Sequence, residues 1–188
     1  MTTEHVDPRI SRSRQVIRRA ALAELAASGY GGLRVEAVAS RAGVGKSTIY
    51  RLWGDKLTLV ADALETLNEQ PGPATVDGTP REQLEAVLRH LADAMRDSTF
   101  GRCVPALVEA AEQDPTVRDF FHGYAARRRQ TVVRILAAGV ASGDFPADLD
   151  PERASIALAG AVFYRRLLTP DPLDAADVPA LIAGVLGR

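Results

Sequence analysis

The stretch that decides the fold lies at residues 35–53 and reads Val-Glu-Ala-Val-Ala-Ser-Arg-Ala-Gly-Val-Gly-Lys-Ser-Thr-Ile-Tyr-Arg-Leu-Trp. Its first eight residues carry apolar side chains at offsets 0, 3, 4 and 7, the spacing of one helix face: Val35, Val38, Ala39 and Ala42. Gly43 then supplies the positive φ that a sharp turn needs. A second short helix follows at about residues 47–53. The pattern predicts two helices that cross closely at the small side chain of Ala39.

The second of these helices has an apolar side and a polar side. Val44, Ile49 and Leu52 are predicted to pack back against the first helix. The outward residues are then Lys46, Ser47, Thr48, Tyr50 and Arg51. In a helix-turn-helix the second helix enters the major groove of DNA, and its first residues meet base edges and phosphates. Such a pair of helices is also compatible with an ordinary helical hairpin whose polar residues form a solvated face.

Charge is distributed unevenly along the chain. Residues 1–56 contain ten lysines and arginines against five acidic residues, a net charge of +5, whereas the remainder has 13 basic and 19 acidic residues, a net charge of −6. Both lysines of the chain, Lys46 and Lys56, lie in the basic part. A basic head on an acidic body favours a head that binds a polyanion, although a chance fluctuation gives the same numbers.

The rest of the chain is typical of an all-α globular protein. Of its 188 residues, 46% are hydrophobic and only 5% aromatic, and no segment shows strand alternation. We predict about nine helices, separated by Gly and Pro signals and by a loop at 70–80 that contains four prolines and glycines before Pro80. The predicted ranges are 11–28, 35–42, 47–53, 55–69, 81–97, 103–113, 115–142, 151–168 and 175–186.

Membrane insertion, disulfide bonding and catalysis find little support. No apolar run reaches the ~20 residues of a membrane span, and residues 1–10 lack the apolar stretch of a signal peptide, so we expect a cytoplasmic protein without membrane contact. Cys103 is the only cysteine, so no intrachain disulfide forms. His90, Cys103 and His122 lack metal-ligand spacing. Residues 43–47 resemble the end of a Walker A motif but lack its first glycine, since residue 40 is serine. We expect no enzyme activity, metal or cofactor.

The first ~65 residues resemble the DNA-binding domain of the tetracycline-repressor (TetR) family. The resemblance lies in short elements at matching spacing: Ile17-x-x-Ala20-Ala21, Ser28-Gly29-Tyr30, Val35 to Ala39, Ala42-Gly43-Val44, Ser47-Thr48-Ile49-Tyr50 and Lys56-x-x-Leu59. It implies a three-helix head at residues 1–54 and a larger helical domain for ligand binding and dimerisation at 55–188, linked by the helix at 55–69. It also implies a set of DNA-facing residues: Arg34, Val35, Gly45, Lys46, Ser47, Thr48, Tyr50, Arg51 and Lys56.

Two residues depart from the family pattern. Arg34 stands where a threonine or serine often caps the second helix, and an arginine has no acceptor for that purpose. It can still bind phosphate, as the residue matching Lys56 does in the family. Glu24 replaces a usual apolar residue of the first helix.

For the body, the resemblance implies an effector pocket among the middle helices and a dimer interface on the last two. Candidate pocket residues are His90, Phe100, Cys103, Leu107, Phe120, Phe121, Tyr124 and Phe163. Candidate interface residues are Ala157, Gly160, Ala161, Tyr164, Leu181 and Val185. Ordinary core packing explains both sets nearly as well. Three consecutive arginines, Arg127 to Arg129, spread around their helix and are interpreted as a solvated face.

The expected function is that of a homodimeric transcription regulator, in the family usually a repressor, that binds a palindromic operator in double-stranded DNA. A small-molecule effector would release it. Two alternatives stay open at this point: activation in place of repression, and a DNA-binding protein that responds to no effector.

Overall fold

The computed structural model describes residues 8–66, 77–97 and 99–187, and for residues 8–10 and 97 the backbone alone. The described part of the chain is all-α and contains nine α-helices and no strand. Their bounds are α1 Pro8–Gly32, α2 Val35–Ala42, α3 Lys46–Trp53, α4 Lys56–Glu65, α5 Pro80–Asp97, α6 Thr99–Gln113, α7 Pro115–Ser142, α8 Pro151–Leu168 and α9 Val178–Leu186. One 3₁₀ turn, Ala175–Asp177, precedes α9. The predicted fold class is confirmed.

The first helix breaks where its glycine predicts. Gly29 has φ 70° and ψ 172°, outside the helical region, so the regular part of α1 ends at Ser28 and a short turn continues to Gly32. The predicted apolar stripe of α1 is buried: Ile17, Ala20, Ala21 and Leu25. This stripe explains why α1 can pack on several elements at once, α2 and α4 in the head and α6 in the body.

Capping residues begin three helices as their sequence predicts. Asp55 accepts a hydrogen bond from the Thr58 N–H at 2.8 Å and caps α4. Asp114 and Asp150 cap α7 and α8, each followed by a proline at the first helical position. Helix α4 ends at Glu65 rather than 69, and residues 67–69 of the predicted range lie outside the described residues, as does most of the predicted loop at 70–80.

Helix α6 begins at Thr99, four residues before the predicted start at 103, and continues through Pro105. A proline has no N–H, so it cannot donate to the carbonyl oxygen of Gly101 one turn earlier. A donor from elsewhere reaches that oxygen, since Nη2 of Arg166 lies 3.3 Å from it. The predicted start was wrong because this tertiary contact helps the helix to tolerate its proline.

The head and the body share one continuous core. Most of the buried apolar side chains form a single cluster from Ile17 in α1 to Leu186 in α9. Helices α5 to α8 pack on one another, and α9 packs on α5 and α8. Since the packing does not divide at residue 54, the proposed boundary between 1–54 and 55–188 stays a prediction. Within the described residues, no helix has the length and apolar character needed to cross a membrane.

Candidate nucleic-acid interface

The turn between α2 and α3 has the geometry that its glycine predicts. Gly43 adopts the left-handed conformation, with φ 66° and ψ 33°. Its N–H donates to the Ser40 carbonyl oxygen at 3.2 Å, and the Val44 N–H donates to Ala39 at 3.0 Å. These bonds satisfy the last carbonyls of α2 within a tight turn. Ala39 is buried where the chain folds back, so its small side chain permits the close approach of the two helices.

The apolar side of the motif is anchored in the core. Val38, Ile49 and Trp53 are buried, and Val44 and Leu52 are half-buried against the same cluster. Val35 is also buried, with only 6% of its surface exposed. The Val35 side chain therefore lies on the packed side of the motif, as its place in the apolar stripe predicts, and its role in DNA binding stays a prediction. Only its backbone remains available for an outside contact.

The opposite side presents the predicted polar residues to solvent. Those exposed are Arg34, Gly45, Lys46, Ser47, Tyr50 and Arg51, and Thr48 is half-buried. Tyr50 has 43% of its surface exposed although it is large and aromatic. Arg34 is the N-cap residue of α2 and its side chain caps nothing, in line with the absence of an acceptor. An exposed tyrosine among cations and hydroxyls on one helix face is suited to contact a phosphate backbone.

Lys46 has a partner that sequence reasoning missed. Its Nζ donates to Oε1 of Glu36, across the turn on α2, and lies 5.5 Å from the centroid of the Tyr50 ring. The hydrogen bond from Lys46 lowers the pKa of Glu36 and, reciprocally, raises the pKa of Lys46, so both groups are charged at neutral pH. Both are exposed, so water and salt weaken the pair. Lys46 is thus held near Tyr50 and can exchange Glu36 for a phosphate or a base.

Lys56 lies half-buried at the start of α4. Its Nζ donates to the carbonyl oxygen of Tyr30 at 2.9 Å and lies 4.2 Å from the centroid of the Tyr30 ring. An ammonium group has three donors, so this contact leaves capacity for a phosphate oxygen. At the other end of α4, Oε1 of Glu65 accepts from Nη2 of Arg127 in α7 at 2.9 Å. Helix α4 is therefore tied to the head at its start and to the body at its end.

Glu24, the departure from the family pattern in α1, finds polar partners. It accepts a hydrogen bond from Oγ of Ser28 at 3.0 Å and one from Nη2 of Arg41 at 3.4 Å. The ion pair joins α1 to the last turn of α2, so the acidic residue contributes to the head instead of opposing its packing.

The predicted pocket residues lie within or against the core of the body. Phe100, Cys103, Leu107 and Tyr124 are buried, whereas His90, Phe120, Phe121 and Phe163 are half-buried. Cys103 points to the head: its Sγ lies 3.6 Å from the carbonyl oxygen of Leu22 in α1. Burial raises the pKa of the Cys103 thiol to about 12, so it is neutral at physiological pH. Except for His90, these residues belong to one apolar cluster or pack against it, an arrangement common to a protein core and a ligand pocket.

The three consecutive arginines do not form one solvated face. Arg127 is exposed, but Arg128 is half-buried, and its guanidinium carbon lies 5.2 Å from the centroid of the Phe100 ring and 5.7 Å from that of Tyr124. Its Nη1 lies 3.3 Å from the Tyr124 hydroxyl. The solvated-face interpretation was wrong for Arg128 because this position lies one turn from buried Tyr124, on the inner side of α7.

One face of α8 is apolar and exposed. Ile156, Tyr164 and Leu168 have 58%, 59% and 71% of their surface exposed, and they lie with Gly160 on one line at intervals of four residues. Of the predicted interface residues, Ala157 and Gly160 are also exposed, whereas Ala161, Leu181 and Val185 are half-buried. Sequence reasoning missed Ile156 and Leu168, although extending the stripe of Gly160 and Tyr164 by one turn each way reaches them. A surface of this kind is typical of a protein contact.

A shallow groove opens between α8, α9 and the segment before α8. It is lined by Pro146, Asp148, Leu149, Asp150, Arg153, Ala154, Ala157, Val185 and Leu186. None of the predicted pocket residues borders it, but two predicted interface residues do. The groove therefore adjoins the exposed face of α8.

Comparison with known proteins agrees with this arrangement. Residues 17–63 match the model of the bacterial regulatory proteins of the tetR family, and residues 73–185 match the tetracyclin repressor-like C-terminal domain. The DNA-binding transcriptional repressor TetR of Mycobacteroides abscessus is 30% identical over 171 residues, which cover 88% of this chain and 87% of that protein.

Solved structures extend the likeness over nearly the whole chain. The TetR family transcription regulator SCO0332 superimposes with a TM-score of 0.71 at 30% identity, covering 94% of this chain and 98% of the other. AibR, solved in complex with isovaleryl coenzyme A and operator DNA, shares the fold with a TM-score of 0.68 at 17% identity, over 94% of this chain and 99% of its own. The protein belongs to the TetR family of DNA-binding transcriptional regulators.

Proposed function

We propose that this chain is a homodimeric repressor that binds a palindromic operator and leaves it when a small-molecule effector binds the body. The observation that carries the proposal is the two-sided α3, with Ile49 and Trp53 buried and Lys46, Ser47 and Tyr50 exposed on its outer side. The family match over residues 17–63 includes this element and supports DNA binding by it. Repression and release by an effector are our inference.

The exposed face of α3 supplies suitable groups for both kinds of DNA contact. Lys46 can donate to a guanine edge or to a phosphate, and Ser47 and Thr48 can donate to either. Tyr50 can donate its hydroxyl to a phosphate. Arg34 and Lys56 are proposed as flanking phosphate contacts. The backbone N–H groups at the start of α3 add further donors for an anion.

Dimerisation is proposed through the exposed face of α8 together with α9. Leaving Ile156, Tyr164 and Leu168 in water is unfavourable, and a second copy of the same face covers them by two-fold symmetry. The two α3 helices would then enter successive major grooves, about 34–36 Å apart. The face of α8 thus supports a palindromic site.

Effector control is proposed to act through α4. This helix contacts the head at Lys56 and the body at Glu65, whose partner Arg127 lies next to Arg128 and its aromatic neighbours. A ligand among these residues that binds one position of α4 better than the other shifts the spacing of the two heads. AibR, which has the same fold, was solved in complex with both a small molecule and operator DNA, so this fold is compatible with both kinds of ligand.

We further propose that the protein works by binding alone, in the cytoplasm, where it reaches chromosomal DNA. The described residues hold no cluster of three or more His, Cys, Asp and Glu side chains placed to bind a metal. The proposed repressor needs no cofactor, because each step is a change of affinity.

Selection of binding sites from a random duplex library by the full-length chain tests the DNA-binding part. We expect an inverted repeat whose half-site centres are about 10 base pairs apart, or a multiple of that spacing. The Tyr50→Phe variant should bind the selected site several-fold more weakly while it remains folded and dimeric. Failure to enrich any sequence would contradict the proposal.

A reporter gene behind the selected site separates repression from activation. Thermal-shift screening of a broad metabolite panel then addresses the effector: a ligand that both stabilises the protein and releases it from the site is expected. A protein whose DNA affinity no ligand changes would favour the alternative of a constitutive DNA-binding regulator.

A further inference from the structure

Asp62, in the middle of α4, binds two other helices through one carboxylate. Its Oδ1 accepts from Nη2 of Arg18 at 2.7 Å, and its Oδ2 accepts from Nε of Arg18 at 2.9 Å. Oδ2 also accepts from the indole Nε1 of Trp53 at 2.6 Å. Arg18 belongs to α1 and Trp53 is the last residue of α3. Helices α1, α3 and α4 therefore meet at this one side chain.

The Asp62 carboxylate stays charged although it is half-buried. Burial by itself raises the pKa of Asp62, but the hydrogen bonds from Arg18 and Trp53 and the charges of Arg18 and Arg14 outweigh it and hold the pKa below its usual value. The Arg14 guanidinium carbon lies 5.7 Å from the centroid of the Trp53 ring, on the same cluster. A two-pronged Arg–carboxylate contact also fixes direction, because both donors must point at the two oxygens.

The location of Trp53 gives this cluster its importance. Trp53 closes α3, the helix whose outer face carries the proposed DNA contacts, and its ring is buried. The chain turns at once into α4: Gly54 has φ 76°, and the Asp55 N–H donates to the Trp53 carbonyl oxygen at 2.9 Å. The backbone joins α3 to α4 at a single hinge, so a second attachment is needed to define the angle between them. Apolar packing of α3 in the core supplies part of it, and the Trp53–Asp62 hydrogen bond adds a directional attachment.

We propose that Asp62 is a positioning residue for DNA recognition, which sets the orientation of α3 on α4 by holding Trp53 while Arg18 anchors the same carboxylate to α1. This inference rests on the proposed DNA-binding function of α3. When α4 moves, α3 and α1 move with it as one unit. Asp62 thereby contributes to the specificity of base recognition without contacting DNA, whereas Lys46 and Tyr50 contact the DNA directly.

The main test compares operator and random DNA for two variants. In Asp62→Asn the ion pair with Arg18 is lost, and in Trp53→Phe the indole donor is lost while the buried ring remains. Each should weaken binding to the selected operator by about tenfold, the effect of one mismatched base pair. Binding to a random-sequence duplex of equal length should change less than about twofold, since phosphate contacts are retained.

A double-mutant cycle separates positioning from general stabilisation. If Trp53 acts through Asp62, the double variant should lose no more operator affinity than the worse single variant. Asp119→Asn, on the exposed surface of α7, is the matched control, because it changes the net charge by the same amount and should leave both affinities unchanged. Thermal unfolding and sedimentation verify that each variant is folded and dimeric at the assay temperature.

A readout without DNA comes from fluorescence, because Trp53 is the only tryptophan of the chain. In Asp62→Ala, which removes the oxygen that accepts from the indole Nε1, the fluorescence anisotropy of Trp53 should decay faster and acrylamide should quench its fluorescence more than in the wild type. Unchanged anisotropy and an unchanged ratio of operator to random affinity would overturn the assignment, as would additive losses in the cycle. If the wild type selects no operator at all, the proposed function fails, and fluorescence alone decides whether Asp62 holds Trp53.

Discussion

The head and the body of this protein are both helical, but they differ in how far apart in sequence the contacting residues lie. In the head, the short helices α2 and α3 are joined by a tight turn, and the residues that define the motif are neighbours in sequence. Gly43 turns the chain, and Ile49 and Tyr50 lie on the buried and the exposed side of α3. In the body, long helices bury side chains against partners far along the chain, as Phe100 and Arg128 do. The head can therefore be interpreted from local spacing, whereas the body requires knowledge of which helices pack together.

The largest expected effect is at the junction of the two regions. Because burial raises the pKa of Cys103 from the ordinary 9.0 to about 12, its thiolate fraction at pH 8 is lower by about a thousandfold, and reaction with a thiol reagent should slow by a similar factor. Reaction rates in the folded protein and in urea measure this difference. Since Sγ contacts Leu22 of α1, fast reaction of the native protein would show that head and body separate.

The next effect tests whether DNA affinity depends on the body as much as on the head. Charges placed on the exposed face of α8 by Tyr164→Glu with Leu168→Glu should prevent dimerisation, and the single heads should bind the operator about a hundredfold more weakly, because the two half-sites no longer act together. Sedimentation and operator titration measure both. Glu substitution at exposed Val108 of α6 is the control. A double variant that remains dimeric would place the interface elsewhere.

A smaller loss of operator affinity is expected from a single substitution in the head. Lys46→Ala should weaken operator binding by about tenfold and reduce the slope of log affinity against log salt by about 1, since one phosphate or base contact of a cation is lost. Titrations at several salt concentrations measure both quantities. Thermal stability should be unchanged, because Lys46 is exposed. If the Lys46→Ala variant kept the operator affinity and the salt dependence of the wild type, Lys46 would not contact DNA.

The smallest effect concerns Glu36, which holds Lys46 in the free protein. Glu36→Gln removes a competing carboxylate from the DNA-facing surface, so affinity for operator and random duplex alike should rise by about twofold. Glu109→Gln, exposed on α6, changes the net charge equally and should have no effect. Weaker binding of Glu36→Gln would mean that the carboxylate itself contacts DNA, for example a cytosine amino group.

Much of the architecture was predictable because its signals are local. The ranges of α2, α7 and α8, the caps Asp55, Asp114 and Asp150, and the turn at Gly43 each depend on residues within one or two helical turns. The start of α6 was not predictable, because the carbonyl oxygen of Gly101, which Pro105 leaves without its usual helical donor, accepts from Arg166, 65 residues further along the chain.

The candidate site divides in the same way. The exposed row of Lys46, Ser47 and Tyr50 was predictable from helix spacing, because the same spacing buries Ile49. The burial of Val35 was predictable from its own apolar stripe, whereas its contact with DNA comes from the family pattern alone and stays a prediction. The pair of Lys46 with Glu36 crosses a turn, and spacing within one helix contains no sign of it.

By itself, the sequence determined an all-α chain with a basic head and a helix-turn-helix at residues 35–53, since helix periodicity, capping and glycine turns act over a few residues. Only the tertiary structure decided that Asp62 joins α1, α3 and α4, that Arg128 turns inward, and that Ile156, Tyr164 and Leu168 lie uncovered on α8. The physical reason is that these features are set by contacts between residues distant in sequence, or by the lack of such contacts. The contact partners of these residues are determined by the packing of the helices on one another, and not by the formation of each helix.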